Sequence, residues 1–133
     1  MSSVNKLLEL LEKLRDPQSG CPWDLEQTHS SLEPYLIEEA YEFLDALRNL
    51  GPQNPKTHEE LGDLLFQIVF HAHLFQEKNY TNLEQIMEAL YTKMVERHPH
   101  VFQTEGPKFK EAKDVAKNWE ALKKSKSPSE SLR

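Results

Sequence analysis

The chain has 133 residues, one cysteine and a net charge of −6. That length suits one domain with a real core and no room for a second, and the acidic balance argues against a nucleic-acid backbone or an anionic membrane as the main partner. The lone cysteine, with no bilayer-length apolar run and no charged-then-apolar leader, makes a cytoplasmic chain without disulfides the expectation.

Ser2 or Ser3 can cap a first helix in which Val4, Leu7, Leu8, Leu11 and Leu14 recur at helical spacing, ending near Asp16-Pro17. Gly20-Cys21-Pro22-Trp23-Asp24 follows as a turn-rich loop, where Trp23 is a hydrophobic plug or a lid over a ligand, packing being the commoner use. Cys21 has no CxxC partner and no neighbour that would activate it. Ser30 or Ser31 starts a second helix, which carries Pro34 in its first turn and which Gly51 ends. Leu36, Ala40, Phe43 and Leu47 make its core face. A third helix runs from Thr57 to about Asn79 and is apolar in nearly every direction, as a buried helix is. Such a helix needs more cover than the short first and fifth helices give, so a homodimer or dimer of dimers is expected.

Thr81 and Glu84 form a capping box for a fourth helix with the apolar face Leu83, Ile86, Met87, Leu90 and Met94. Lys93 and Arg97 stand one turn apart at the margin of that face, where they either reach toward anions or snorkel to water. Arg97-His98-Pro99-His100 ends the helix as a structured turn, without bringing both imidazoles to one metal. After Gly106-Pro107, Ala112, Val115, Ala116, Trp119 and Leu122 outline a short fifth helix. The serine-rich stretch 125–133 is expected to be a disordered tail to a single domain spanning 1–124.

The carboxylates carry the chemistry. Glu38, Glu39 and Glu42 are three and four residues apart, so a helix stacks them on one side; Glu60 and Asp63 repeat the device on the next helix. Gly51, Pro52, Asn54 and Pro55 turn the chain between them, so that the two sets can face each other. Close like charges persist only with shared protons or a cation, and an all-oxygen set favours magnesium or manganese. Glu60 has a competing structural role as the partner of Thr57 in a capping box. Yet at about 100° per residue Glu60, Asp63, Gln67 and His71 fall in one stripe of roughly 80° on an otherwise apolar helix, and a buried polar stripe needs partners.

No sustained two-residue alternation and no Asn-Gly or Asp-Gly hairpin turn occurs, so the fold expected is all-α, an antiparallel bundle of four to five helices. Glycine-rich phosphate loops, GxSxG and HExxH are absent.

At this point the sequence resembles the MazG-type nucleoside triphosphate pyrophosphohydrolases. Their EExxE, spacer, ExxD motif reads here as Glu38, Glu39, Glu42, then Glu60 and Asp63. It is flanked by CPWDLEQTHSSL and KMVERHPHVF, and the likeness covers roughly residues 5 to 124. The resemblance implies a magnesium-dependent enzyme, manganese being able to substitute, that hydrolyses a nucleoside triphosphate to the monophosphate and pyrophosphate. It implies Glu39, Glu42, Glu60 and Asp63 as metal ligands and Glu38 as the residue that positions or deprotonates the attacking water. It also implies Lys93 and Arg97, Trp119 with Lys123, and Lys56 at the substrate. The chain departs from some members in having Tyr35 where they carry a lysine three residues before the EE pair. Two other readings stay open: a non-catalytic all-α nucleotide sensor or oligomerisation module with a structural metal, and an enzyme specific for dUTP or dCTP.

Overall fold

The computed structural model of the chain describes residues 1–103 and 108–124; the Gly106-Pro107 break and the 125–133 tail lie outside the described residues. The helices are α1 (Ser3–Leu14), α2 (Pro22–Leu25), α3 (His29–Leu50), α4 (Pro55–Glu77), α5 (Leu83–Arg97), α6 (Pro99–Phe102) and α7 (Ala112–Lys124), with no strand among the described residues. The expected all-α class is therefore observed. None of these helices is long and apolar enough to cross a membrane. The chain forms two compact units, Met1–Leu83 and Glu84–Arg133.

In the first unit Ser2 caps α1, its side chain accepting from the Asn5 N–H at 3.1 Å. After α1 the Asp16 carboxylate accepts from the Gln18 and Ser19 N–H groups at 2.9 and 3.0 Å and turns the chain. Gly20 closes that turn, and a Cβ there would press on the backbone oxygens of Leu14 and Asp16. The stretch expected to be a loop at Pro22 holds the one-turn helix α2, which proline starts from N1.

Arg15 fastens this stretch to the far end of α4. Its Nε donates to Glu77 at 2.9 Å, and its Nη1 donates to the carbonyls of Asp24 at 2.7 Å, Gln27 at 3.2 Å and Leu25 at 3.3 Å. His73 adds a contact from Nε2 to Glu77 Oε2 at 3.1 Å.

The cap of α3 is Thr28, in a reciprocal capping box with Ser31, and not Ser30 or Ser31. Pro34 thus lies inside the helix, past its first turn, where it leaves the Ser30 carbonyl without its usual donor. Leu32 and Ala46 are the buried residues of α3; Leu36, Ala40 and Phe43 are half-buried and Leu47 is exposed. Gly51 ends the helix at φ +90°, a conformation in which an L side chain is strained, and its N–H reaches the Ala46 carbonyl at 3.2 Å.

The four residues 51–54 turn α4 back along α3, and Asn54 caps α4 through the Lys56 N–H at 2.8 Å. Thr57 is therefore already inside the helix. It is 2% exposed, and its hydroxyl donates to the carbonyls of Gly51 at 2.8 Å and Ala46 at 3.3 Å, tying the last turn of α3 to the first of α4. Thr57→Val keeps the shape and removes that donor, so it should lower unfolding free energy by about 1–2 kcal/mol in urea titration. An unchanged midpoint would show that the tie carries no weight.

Val69, Phe70, Ala72 and Leu74 of α4 pack with Leu11, Leu32 and Leu83 as the core, and Leu8 and Phe66 lie against it. The all-round burial expected for this helix is not found within one chain. Leu61, Leu65 and Ile68 are about half exposed and, with His58, Gly62 and Leu64, line a shallow apolar groove.

In the second unit, α6 begins at Pro99 where a turn was expected, and His98 Nδ1 contacts the Met94 carbonyl at 2.6 Å. Ile86, Met87 and Leu90, expected to form the apolar face of α5, are exposed. The fifth expected helix is present as α7.

Candidate metal centre and active site

The α3–α4 hairpin brings carboxylates together from both arms. Glu39, Glu42 and Glu60 each offer one oxygen, and these three oxygens lie within 4.8 Å of one another. Glu60 is buried, Glu39 half-buried and Glu42 exposed. Because α4 is capped by Asn54, the capping-box role for Glu60 disappears and its burial has no structural explanation of that kind. Asp63 is exposed and stands outside the three-oxygen group, but its charge acts on Glu39.

Burial first, and then the charges of Glu42 and Asp63, push the Glu39 carboxyl above the usual carboxylate range. Desolvation, followed by the charges of Glu60 and Glu38, raises that of Glu42. Glu38 itself is exposed, one turn before Glu42. Lys56 answers part of the negative charge, with its ammonium 3.1 Å from Glu60 Oε1 and 3.4 Å from Glu59. The bond to Glu60, more than the charge of Glu59, raises the Lys56 pKa.

Glu39 Oε2 and Glu60 Oε2 remain buried without a hydrogen-bond donor among the described residues. A buried carboxylate oxygen left unmet is costly. Two such oxygens, in an all-oxygen set on facing helices, fit a hard divalent cation.

The aromatics flanking the hairpin are partly exposed. Trp23 meets Tyr35 edge-on, with ring centroids 5.7 Å apart, and both side chains remain open to solvent. Trp23 is therefore not a fully buried plug. Tyr35 is one turn ahead of Glu39. Cys21 is a free thiol that makes no side-chain bond as the cap of α2.

In the second unit Arg97 is buried and lies over the Trp119 ring at 5.7 Å, while His98 meets the same ring edge-on at 5.1 Å. Trp119 is half-buried, Lys123 likewise, and Lys93 is exposed. Of the sequence-expected set the hairpin thus gathers Glu39, Glu42, Glu60 and Lys56, with Glu38 and Asp63 near enough to shift their neighbours; Arg97 and Trp119 meet in the other unit. Sequence reasoning missed Arg15 and its grip on Glu77, since nothing local marks a partner 62 residues away.

Comparison with known proteins bears on the same hairpin. The family model of the MazG nucleotide pyrophosphohydrolase domain matches residues 27–102. A nucleoside triphosphate pyrophosphohydrolase of Escherichia coli (strain K12) is 41% identical over 123 residues, 92% of this chain and 45% of that protein. The nucleoside triphosphate pyrophosphohydrolase/pyrophosphatase MazG of Thermotoga maritima is 43% identical over 121 residues, 90% of this chain and 46% of its own. A nucleoside triphosphate pyrophosphohydrolase of Mycobacterium tuberculosis is 36% identical over 125 residues, covering 92% and 36%. The chain thus spans less than half the length of each of these relatives. Trp119 and Lys123 fall beyond the span of the family model, which holds the whole carboxylate hairpin together with Lys56, Lys93 and Arg97. With every acid of the converging cluster inside the matched span, the chain belongs to the MazG nucleotide pyrophosphohydrolase domain family.

Proposed function

We propose that this chain hydrolyses nucleoside triphosphates to the monophosphate and pyrophosphate, with Glu39, Glu42, Glu60 and Asp63 holding magnesium. The observation that carries the reading is the pair of buried, unmet oxygens on Glu39 and Glu60 inside a three-carboxylate cluster. Magnesium supplies neutralisation of the triphosphate oxygens and a more acidic water; manganese offers the same chemistry. Glu38, exposed beside Glu42, is assigned to orient that water and take its proton. Lys56, ion-paired to Glu60, is assigned to a substrate phosphate once a cation takes over the carboxylate. Lys93 and Arg97, inside the matched span, and Trp119 and Lys123, beyond it, are assigned to the substrate on the resemblance described above, the cations to phosphate oxygens and the indole to the base. A base-stacking indole tolerates different bases, which suits a broad triphosphate substrate class.

A panel of ribo- and deoxynucleoside triphosphates with magnesium, scored by pyrophosphate release, tests this. Turnover across bases is expected; turnover of dUTP or dCTP alone would mark a specialised enzyme, and binding without turnover a sensor. In oxygen-18 water the label should enter the monophosphate, since attack is assigned to the α-phosphorus. Label in pyrophosphate alone would overturn that geometry.

Self-association belongs to the same reading. The half-exposed Leu61, Leu65 and Ile68 form an apolar strip that a second copy would cover, leading to a homodimer or a dimer of dimers. Sedimentation at micromolar concentration should give at least a dimer, and Leu65→Lys should shift it toward monomer by tenfold or more in Kd, about 1.4 kcal/mol per decade. A monomeric wild-type chain would refute the dimer.

A further inference from the structure

The polar stripe of α4 continues past the carboxylates. Gln67 lies one turn beyond Asp63 and His71 one turn beyond Gln67, so a rise of about 1.5 Å per residue carries each roughly 6 Å further along the helix. Gln67 is only 9% exposed, and its Oε1 is buried with no hydrogen-bond donor among the described residues. Nε2 of His71 is buried and unmet in the same way. The other ring nitrogen of His71 is already engaged, with Nδ1 2.7 Å from Nδ1 of His29 and the two rings stacked at 5.0 Å. The Phe75 ring also lies against that of His29, tilted, with centroids 4.6 Å apart.

Packing alone gives no reason for this arrangement. A leucine or methionine at 67 would bury as well beside Phe66 and Phe70 without stranding an amide, which costs about 1–3 kcal/mol when left unmet. Both side chains are uncharged at neutral pH: Gln67 has no ionisable group, and burial together with the neighbouring His29 holds the His71 pKa below its ordinary value. The line of unmet polar atoms therefore changes along one helix face from anionic, suited to a cation and its phosphates, to neutral.

We infer that Gln67 and His71 receive the nucleoside of the substrate, a hydroxyl or N–H group of which donates to Gln67 Oε1. The inference rests on the assignment of the triphosphate to the carboxylate cluster. Buried polar atoms of this kind discriminate sharply, because a ligand lacking the matching group leaves them unpaired. His29, which fixes the ring of His71 through the Nδ1 contact, is a positioning residue.

The test uses the whole chain with magnesium and two probes, a nucleoside triphosphate as substrate and methyl triphosphate, which has no nucleoside, as competing inhibitor. Gln67→Leu should raise KM for the nucleoside triphosphate about tenfold while moving the inhibition constant of methyl triphosphate less than about twofold. Should Gln67→Leu lose helix content, Gln67→Asn, which keeps the amide and shortens its reach, is read in the same way. A 2′,3′-dideoxynucleoside triphosphate then identifies the donor: loss of the Gln67 effect assigns a sugar hydroxyl, and its persistence assigns a base N–H. Equal shifts for both probes, or none for either, would overturn the subsite and leave ordered water as the partner of Gln67. That result differs from a wild-type chain that releases no pyrophosphate at all, which removes the hydrolase reading itself.

Discussion

Glu39→Gln is expected to abolish magnesium-dependent pyrophosphate release, by about 10³-fold or more, while raising the melting temperature of the metal-free protein. The two effects share one cause. Without a cation, an ionised Glu39 is half-buried against the charges of Glu42, Asp63 and Glu60, which is why its pKa is raised. A carboxyl whose pKa is higher folded than unfolded adds stability below the unfolded value, and that stability is lost as pH rises through the folded one. The metal-free chain should therefore weaken as pH climbs from the acid range toward neutrality, and the amide should flatten this limb. Magnesium should stabilise the wild type by mass action and the variant far less. Asp63→Asn should likewise cut turnover with helix content intact. Wild-type turnover by Glu39→Gln at saturating metal would sink the ligand assignment.

Arg15→Ala should cost about 3 kcal/mol of unfolding free energy, the largest stability loss expected of any single substitution outside the apolar core. The side chain is only 13% exposed, and its removal leaves Glu77 with His73 as its remaining partner and takes a donor from the carbonyls of Asp24, Leu25 and Gln27, that of Asp24 keeping the Gln27 N–H at 3.3 Å. Arg15→Lys should recover less than half, because a point charge cannot fill a fork that spans a carboxylate and a row of carbonyls. The pH dependence is opposite in sign to that of Glu39. The Arg15 bond holds the Glu77 carboxyl below its usual pKa, so its stability is present above the unfolded value and disappears as pH falls through the folded one. Urea titrations at neutral pH and down through the acid range would show Arg15→Ala with a flattened acid limb. A loss under 1 kcal/mol would mean that the carbonyls find water readily.

What the sequence revealed was the part written in local spacing. The all-α class, the hairpin at Gly51 to Pro55 and the convergence of Glu39, Glu42 and Glu60 follow from helical periodicity and turn residues within a few turns of each other. Helix starts were less legible, because Thr28, Ser30 and Ser31 are all good caps and only the backbone decides between them; the same ambiguity disguised Thr57 as a cap. The apolar pattern of α4 read as burial because hydrophobicity does not say whether the cover comes from the same chain, and Leu61, Leu65 and Ile68 turn out to be open. Arg15 with Glu77 was invisible, since no period relates a residue at the end of α1 to one at the end of α4. The grouping of Gln67 with His71 is visible as a stripe, but which of their atoms go unmet depends on packing between helices, which spacing along one helix does not record.

The tie that Thr57 makes across the hairpin bears on how quickly the site comes into being. All the acids from Glu38 to Asp63 sit in one helix–turn–helix closed by four link residues, so the loop to be closed is short and its entropy small. Contacts of such low sequence separation form early in folding, on the timescale of helix growth, whereas Arg15 must wait for the end of α4 to arrive. Nascent hairpins would thus present their carboxylates to solvent cations before the first unit has closed its core, and divalent ions should accelerate refolding as well as stabilise its product.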